Sequence, residues 1–247
     1  MTRWLEGTVI ENRPWAEGLF TLRVEGAPLT FEAGQFVRIA LDIGGERVAR
    51  PFSMVNAPAD PVLEFYGIVV PQGLLSPRLA RLASGERLFV APNPAGFLVL
   101  AELPPARTLW LMSTGTGLAP FISMLRAGTP WQSFYSVVLV HAVRHARELV
   151  YRGDIDQCKA QFGERFRYVP VVSREPASAA LRGRIPALIG DGTLEAEAGI
   201  ELASASAQVM LCGNPDMLKD TSAVLATRGL RKNRRRAPGH ITVESFW

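Results

Sequence analysis

Four short runs of residues could do chemistry. Arg50-Pro51-Phe52-Ser53 sets a cation, an aromatic plate and a hydroxyl within one short run. That combination suits a ligand with a pyrophosphate, a flat ring and a polar ring nitrogen. A guanidinium forks onto phosphate oxygens, and a hydroxyl can donate or accept. An arginine in a strand is otherwise an ordinary surface residue. Gln72-Gly73-Leu74-Leu75-Ser76-Pro77 leads into a short helix, where unpaired N–H groups can hold an anion. Ser113-Thr114-Gly115-Thr116-Gly117-Leu118-Ala119-Pro120-Phe121 lies between a strand and a helix, and its glycines let a phosphate approach the backbone. It has neither a Walker lysine nor GxGxxG spacing, so neither a P-loop enzyme nor an ordinary Rossmann dehydrogenase fits. Cys212-Gly213-Asn214-Pro215-Asp216-Met217 repeats the strand-to-helix turn further on. A lone strand-end cysteine is ordinarily inert packing. The second coincident turn instead makes Cys212 a candidate facing the same crevice as Thr116.

These runs need elements to hold them. In the first hundred residues, Phe36–Leu41, Gly44-Gly45 and Arg47–Arg50 read as strand, hairpin turn and returning strand. Val62–Val70 and Arg87–Val90 read as further strands. One helix interrupts them, Ser76–Leu82, with Ser76 as N-cap, Pro77 at its first position and Gly85 beyond its end. Short strands with little helix between them predict a small antiparallel β-barrel. After Leu103-Pro104-Pro105, read as a linker, the pattern changes. Strands are expected at Thr108–Met112, Ser136–His141, Phe166–Val172 and Gln208–Leu211. Helices are expected from about Leu118 to Ala127 with Gly128 as the stop, over Glu148–Gln161, and over Asn214–Thr227. Asn214 would cap the last, with Pro215 next and Gly229 after it. Alternating strands and helices predict a doubly wound α/β parallel sheet. The expected domains are therefore residues 1–103 and 104–247.

Composition narrows the class. The chain has 247 residues, 48% hydrophobic and 20% charged, enough apolar content to bury a core. At about 150 residues per domain, that length accommodates one large domain or two small ones. No apolar run approaches the roughly 18–20 residues of a membrane span, and the opening residues show no signal-peptide pattern. Two cysteines are too few for a four-cysteine iron–sulfur cluster or a disulfide scaffold. His141, His145 and His240 have no metal-ligand spacing, so no metal is expected. The net charge of +4 is concentrated in Arg228–Arg236, which holds Arg228, Arg231, Lys232, Arg234, Arg235 and Arg236 and no acid. Such a patch steers an acidic partner. Aromatics do not interleave with these cations, so a nucleic-acid module is not expected. A cytoplasmic monomer is expected.

Taken in order, Arg50-Pro51-Phe52-Ser53, Gly115-Thr116-Gly117-Leu118-Ala119-Pro120-Phe121, Cys212-Gly213-Asn214-Pro215 and the terminal His240-Ile241-Thr242-Val243-Glu244-Ser245-Phe246-Trp247 resemble the ferredoxin–NADP reductase family. The resemblance is nearest to bacterial reductases that end in an aromatic–Trp pair, and it covers essentially the whole chain. It implies FAD bound by a Greek-key barrel and NADP(H) bound by the α/β domain, with nicotinamide and flavin meeting at the domain boundary. The implied activity is hydride exchange with NADPH and single-electron exchange with ferredoxin or flavodoxin. An NAD(P)H–flavin reductase or an oxygenase reductase component is the nearest alternative.

The resemblance also assigns roles. Arg50 and the N–H groups of Leu74, Leu75 and Ser76 would hold the FAD pyrophosphate, with Pro51 and Phe52 beside the flavin and Ser53 near N5. Phe52 stands where relatives have tyrosine. Thr116 would lie where nicotinamide and flavin meet, with Cys212 and Glu244 as catalytic candidates lining the nicotinamide pocket and Asn214 among the NADP-binding residues. Phe246 would cover the isoalloxazine and Trp247 would stack on adenine. Arg144 after Val143, Arg174 after Ser173, and Arg184 would take the 2′-phosphate. Glu175 beside Arg174 is the acid that an NAD-preferring site would offer. Lys232, Arg234, Arg235 and Arg236 are the docking candidates for the acidic partner.

Overall fold

The first core is built from β1 (Leu5–Ala16), β2 (Leu19–Glu25), β3 (Phe36–Ile43), β4 (Glu46–Ser53), β5 (Leu63–Ile68) and β6 (Arg87–Val90); burial alternates along β6, whereas β5 is buried at every residue but Ile68. The computed structural model describes residues 4–245. These six strands form one antiparallel sheet in the order β4-β3-β6-β1-β2-β5. Gly44 and Gly45, both at positive φ, make the two-residue turn between β3 and β4. The outer strands meet through an isolated bridge between Met54 and Phe65 and a bond from the Val55 N–H to the Glu64 carbonyl. The sheet is thus barrel-like but not closed. Its core includes Val9, Phe20, Leu22, Ile39, Phe65, Leu79 and Leu88.

The second sheet is parallel, and its central strands are buried along almost their whole length. Every residue of β8 (Ser136–Val143) and β11 (Ala207–Gly213) is buried, as in strands covered on both faces. With β7 (Thr108–Thr114), β9 (Phe166–Val172), β10 (Leu181–Arg182) and β12 (Ile241–Ser245), the order is β10-β9-β8-β7-β11-β12. Chain order therefore reverses between β7 and β11, the crevice where doubly wound sheets bind ligands. Helices α5 (Ile185–Gly190), α6 (Thr193–Ala198) and α7 (Pro215–Thr227) pack their apolar residues on Trp110, Met112, Val138, Val169 and Leu211. No helix among the described residues is long and apolar enough to cross a membrane.

The chain divides into two compact units. One comprises the residues up to Gly96 together with α2 (Ala119–Ala127); the other holds Phe97–Leu118 and the residues from Gly128 onward. The change therefore falls before Leu103-Pro104-Pro105. Helix α2 sits with the first unit because Ser123 Oγ donates to the Asn56 carbonyl at 2.7 Å and Arg126 pairs with Glu64 at 2.8 Å. Two helices differ from expectation. Past the one-turn α3 (Pro130–Ser133), the Glu148–Gln161 segment becomes a single 3-10 turn and then α4 (Arg152–Phe162). Glu148 spends its carboxylate on the Arg144 N–H, and Tyr151 enters the left-handed region at φ 57°. The Ser76–Leu82 segment shortens to α1 (Ser76–Leu79). Leu75, not Ser76, is its N-cap, because Ser76 Oγ accepts the Val70 N–H. Asn12 Nδ2 donates to the Leu79 and Leu82 carbonyls and stops the helix.

Candidate functional site

In the first unit, Arg50, Pro51, Phe52 and Ser53 form the end of β4 rather than the residues after it. Arg50 is exposed, donates to the Ala49 carbonyl at 2.7 Å, and has no ion-pair partner among the described residues. Phe52 lies edge-on to Phe65, which fixes its ring. Ser53 is 3% exposed, and its Oγ has no hydrogen-bond partner among the described residues. A buried hydroxyl left unpaired costs free energy, so it marks a place where an external group supplies the bond. The backbone N–H groups of Leu74, Leu75 and Ser76 also have no intramolecular acceptor among the described residues. Leu74 itself is 58% exposed. A free guanidinium, a row of free N–H groups and one orphaned hydroxyl form a donor set that fits a flavin dinucleotide: pyrophosphate at one end, ring nitrogen at the other.

In the second unit, the turns after β7 and β11 lie side by side. A side chain on Gly117 would put its Cβ 2.3 Å from the Cys212 carbonyl oxygen, so only glycine lets these turns approach. Gly213 adopts φ 134°, and a Cβ there would come within 2.2 Å of Thr114 Oγ1. Asn214 Oδ1 accepts the N–H groups of Asp216 and Met217, the N-cap expected for α7. The exposed Asn214 and the half-buried Thr116 thus frame the switch point of the sheet.

Cys212 and Glu244 are opposite each other in the β11–β12 register. Burial pushes the Cys212 thiol well above its ordinary value, and the Glu244 charge adds to the shift. The thiol is therefore neutral, an apolar wall rather than a thiolate nucleophile. Burial also pushes the Glu244 carboxyl up to about 7, opposed by a hydrogen bond from the Phe97 backbone N–H. Its Oε1 has no hydrogen-bond partner among the described residues. Glu244 can therefore hold or release a proton near neutrality.

Arg144, Arg174 and Arg184 lie beyond the carboxyl ends of adjacent strands. Val143 pairs with Val172, and the Ser173 and Arg174 N–H groups continue the ladder onto the Val143 and Arg144 carbonyls at 3.0 Å. Ser173 Oγ also donates to Val143. The Gly183 N–H reaches the Val172 carbonyl, and Arg184 is the N-cap of α5. All three arginines are exposed. The acid beside them is already engaged: Glu175 accepts the Ala146 N–H at 2.8 Å and contacts His145 Nδ1 at 3.2 Å.

Two groups with structural consequence were not singled out as site residues by motif reading: the Thr114 hydroxyl and the buried Asn233. The only sequence signal for Thr114 is its place before Gly115; Asn233 carries none beyond being a short amide among cations. A cavity of about 170 Å³, bordered by Pro105, Ser204, Ser206, Arg231 and His240, opens near the amino ends of β11 and β12, away from the switch point. Phe246 and Trp247, expected to stack on the cofactor, lie outside the described residues.

Residues 111–223 match the family described as "Oxidoreductase NAD-binding domain". The chain is 45% identical to the flavodoxin/ferredoxin–NADP reductase of Escherichia coli (strain K12), over the full length of both. It is 36% identical to a ferredoxin–NADP reductase of Pseudomonas aeruginosa, covering 96% of this chain and 95% of that one. A solved ferredoxin NADP+ reductase from Neisseria gonorrhoeae, with bound FAD and NADP, superposes with a TM-score of 0.94 at 30% identity over the whole of both chains. Full-length identity at this level, with both sheets reproduced, shows that the chain belongs to the flavodoxin/ferredoxin–NADP reductase family.

Proposed function

We propose that this chain is an FAD-dependent reductase that exchanges electrons between NADPH and a ferredoxin or flavodoxin. The observation that carries this reading is the 45% identity maintained along the entire chain to reductases of that name. When bound, FAD would supply the redox chemistry, linking two-electron hydride exchange to single-electron exchange.

The chain's own residues bind and orient. Arg50 and the Leu74, Leu75 and Ser76 N–H groups would hold the FAD pyrophosphate, and Ser53 Oγ would offer its hydrogen bond to the flavin. Pro51 and Phe52 border the ring. Thr116, Cys212 and Asn214 shape the nicotinamide pocket, where the neutral thiol excludes water and Glu244 holds a proton. Arg144, Arg174 and Arg184 take the 2′-phosphate, with Val143 and Ser173 fixing the backbone between them. Glu175, the acid next to Arg174 in the chain, is engaged by Ala146 and His145 and is not free to favour an unphosphorylated ribose. In this reading the basic cluster that holds Lys232, Arg234, Arg235 and Arg236 forms the surface an acidic partner meets, and the enzyme acts as a cytoplasmic monomer.

The test is steady-state reduction of a neutral dye with NADPH and with NADH, on the FAD-loaded wild type and on Arg174→Ala. The wild type should prefer NADPH, and the variant should lose about tenfold or more of that preference, the equivalent of one charge-assisted bond. Equal efficiency of the wild type with both nucleotides would overturn the NADP assignment. Failure to bind FAD on reconstitution would overturn the flavoenzyme reading.

A further inference from the structure

The basic segment is not a loose tail of charge. Arg234 and Ala237 exchange backbone hydrogen bonds at 3.1 and 2.9 Å, closing a tight turn through Arg235 and Arg236. The Arg231 carbonyl accepts from His240 and Ile241, and Lys232 bridges to Ile241, so the base of the turn is tied to β12. Between exposed Lys232 and Arg234 sits Asn233, only 5% exposed. Asn233 Nδ2 donates to the Glu102 carbonyl at 2.8 Å and to Thr242 Oγ1 at 3.1 Å. Its Oδ1 accepts the Gly239 N–H at 3.0 Å, and its own N–H reaches the Ile241 carbonyl at 2.7 Å. One buried amide thus pins both arms of the turn to β12 and to the 3-10 turn Leu100–Glu102.

The cations of the turn are also unequal. Arg235 Nε pairs with Glu102 at 3.1 Å, and its guanidinium lies 5.4 Å from the Phe97 ring centre. Arg228 is engaged by Glu195 and the Ile189 carbonyl. Lys232, Arg234 and Arg236 are exposed and have no ion pair among the described residues.

We propose that Asn233 is the positioning residue of an acidic-partner surface whose docking cations are Lys232, Arg234 and Arg236, with Arg235 serving as a strut. This rests on the proposed function and refines which charges serve it. Clustered like charges repel, and a free loop would spread them. Pinning by Asn233 holds them together in advance, so the partner's carboxylates meet a surface whose ordering is already complete.

The experiment titrates the FAD-loaded protein with purified flavodoxin, and in parallel with ferredoxin, across a range of salt concentrations. Arg234→Ala and Arg236→Ala should each weaken binding and flatten its salt dependence, whereas Arg235→Ala should leave the salt dependence unchanged. Asn233→Ala should raise the partner Kd by about fivefold or more, with the KM for NADPH and dye reduction unaltered. Thr242→Val, which removes one Asn233 acceptor from a fully buried site, should move the Kd in the same direction by less. It replaces Asn233→Ala if that variant does not fold. A salt dependence flattened as much by Arg235→Ala as by Arg234→Ala would overturn the division of charges. An unchanged Kd in folded Asn233→Ala, or in Thr242→Val where that stands in, would overturn the positioning role. A wild type that binds neither partner overturns the proposed function instead, and this inference with it.

Discussion

Thr114 Oγ1 accepts the backbone N–H of Asn214 at 2.9 Å, joining two turns that stand 100 residues apart in the chain. The bond places the start of α7 against the end of β7, where a Cβ on Gly213 would come within 2.2 Å of the same hydroxyl. Each turn alone is a common strand-to-helix connection. Together, one side chain and two glycines set the spacing of the crevice at the sheet's switch point.

Thr114→Val keeps the branching and removes the acceptor. The expected loss is about 1 kcal/mol of stability in urea unfolding, the ordinary net worth of such a bond. NADP+ affinity, measured by titration calorimetry, should fall severalfold in Thr114→Val and be restored in Thr114→Ser. Gly213→Ala should cost more, about 2 kcal/mol or above, because it adds a clash to a backbone angle that L-residues avoid. An affinity in Thr114→Val equal to the wild type would show that the crevice does not depend on the bond.

Ser53 gives a test of the flavin half. Because its buried hydroxyl has no partner among the described residues, Ser53→Ala should leave the FAD-free protein as stable as the wild type or slightly more so. The FAD-loaded protein should behave oppositely. The rise in Tm on adding FAD should shrink in the variant, since a ligand stabilises only through the contacts it makes with the folded state. An equal rise in both proteins would remove Ser53 from the site.

Some features were legible because short-range chemistry decides them. The Gly44-Gly45 hairpin, the strand Phe166–Val172 and the Asn214-Pro215 helix start follow from the turn, strand and capping preferences of those residues. Ser76 read as a cap on the same logic, and the structure uses its hydroxyl elsewhere because Val70, six residues earlier, reaches it first. Helix α2 is apolar apart from Ser123 and Arg126, and nothing local shows that these two bond to Asn56 and Glu64. The candidate site divides the same way. Residue type points to Arg50 and Ser53, and the strand-end arginines come from the family resemblance. The Thr114 hydroxyl and Asn233 matter through bonds to Asn214 and Glu102, distant in sequence, which no local pattern encodes.

The buried His141 and the half-buried Glu244 should give the stability of this protein opposing pH slopes. His141, on β8, is fully buried with no partner for Nε2 among the described residues, and burial pulls its pKa from 6.5 to about 3. Between those values the unfolded chain binds the proton that the folded chain refuses, so stability is lost as pH falls below about 6.5. Glu244 acts in the other sense. Its carboxyl is raised from 4.5 to about 7, so the folded state holds a proton that the unfolded state releases, and stability is lost as pH rises across that interval. From 4.5 to 6.5 the two slopes oppose each other and partly cancel. Glu244→Gln should therefore match the wild-type slope below pH 4.5 and gain on it steadily up to about 7. His141→Leu should lose the acid-side slope whatever its packing does to the overall level. Urea unfolding of the FAD-free protein at several pH values reads both effects as slopes. A Glu244→Gln curve parallel to the wild type throughout would mean that this carboxyl titrates alike folded and unfolded, and that it is not the proton holder at the switch point.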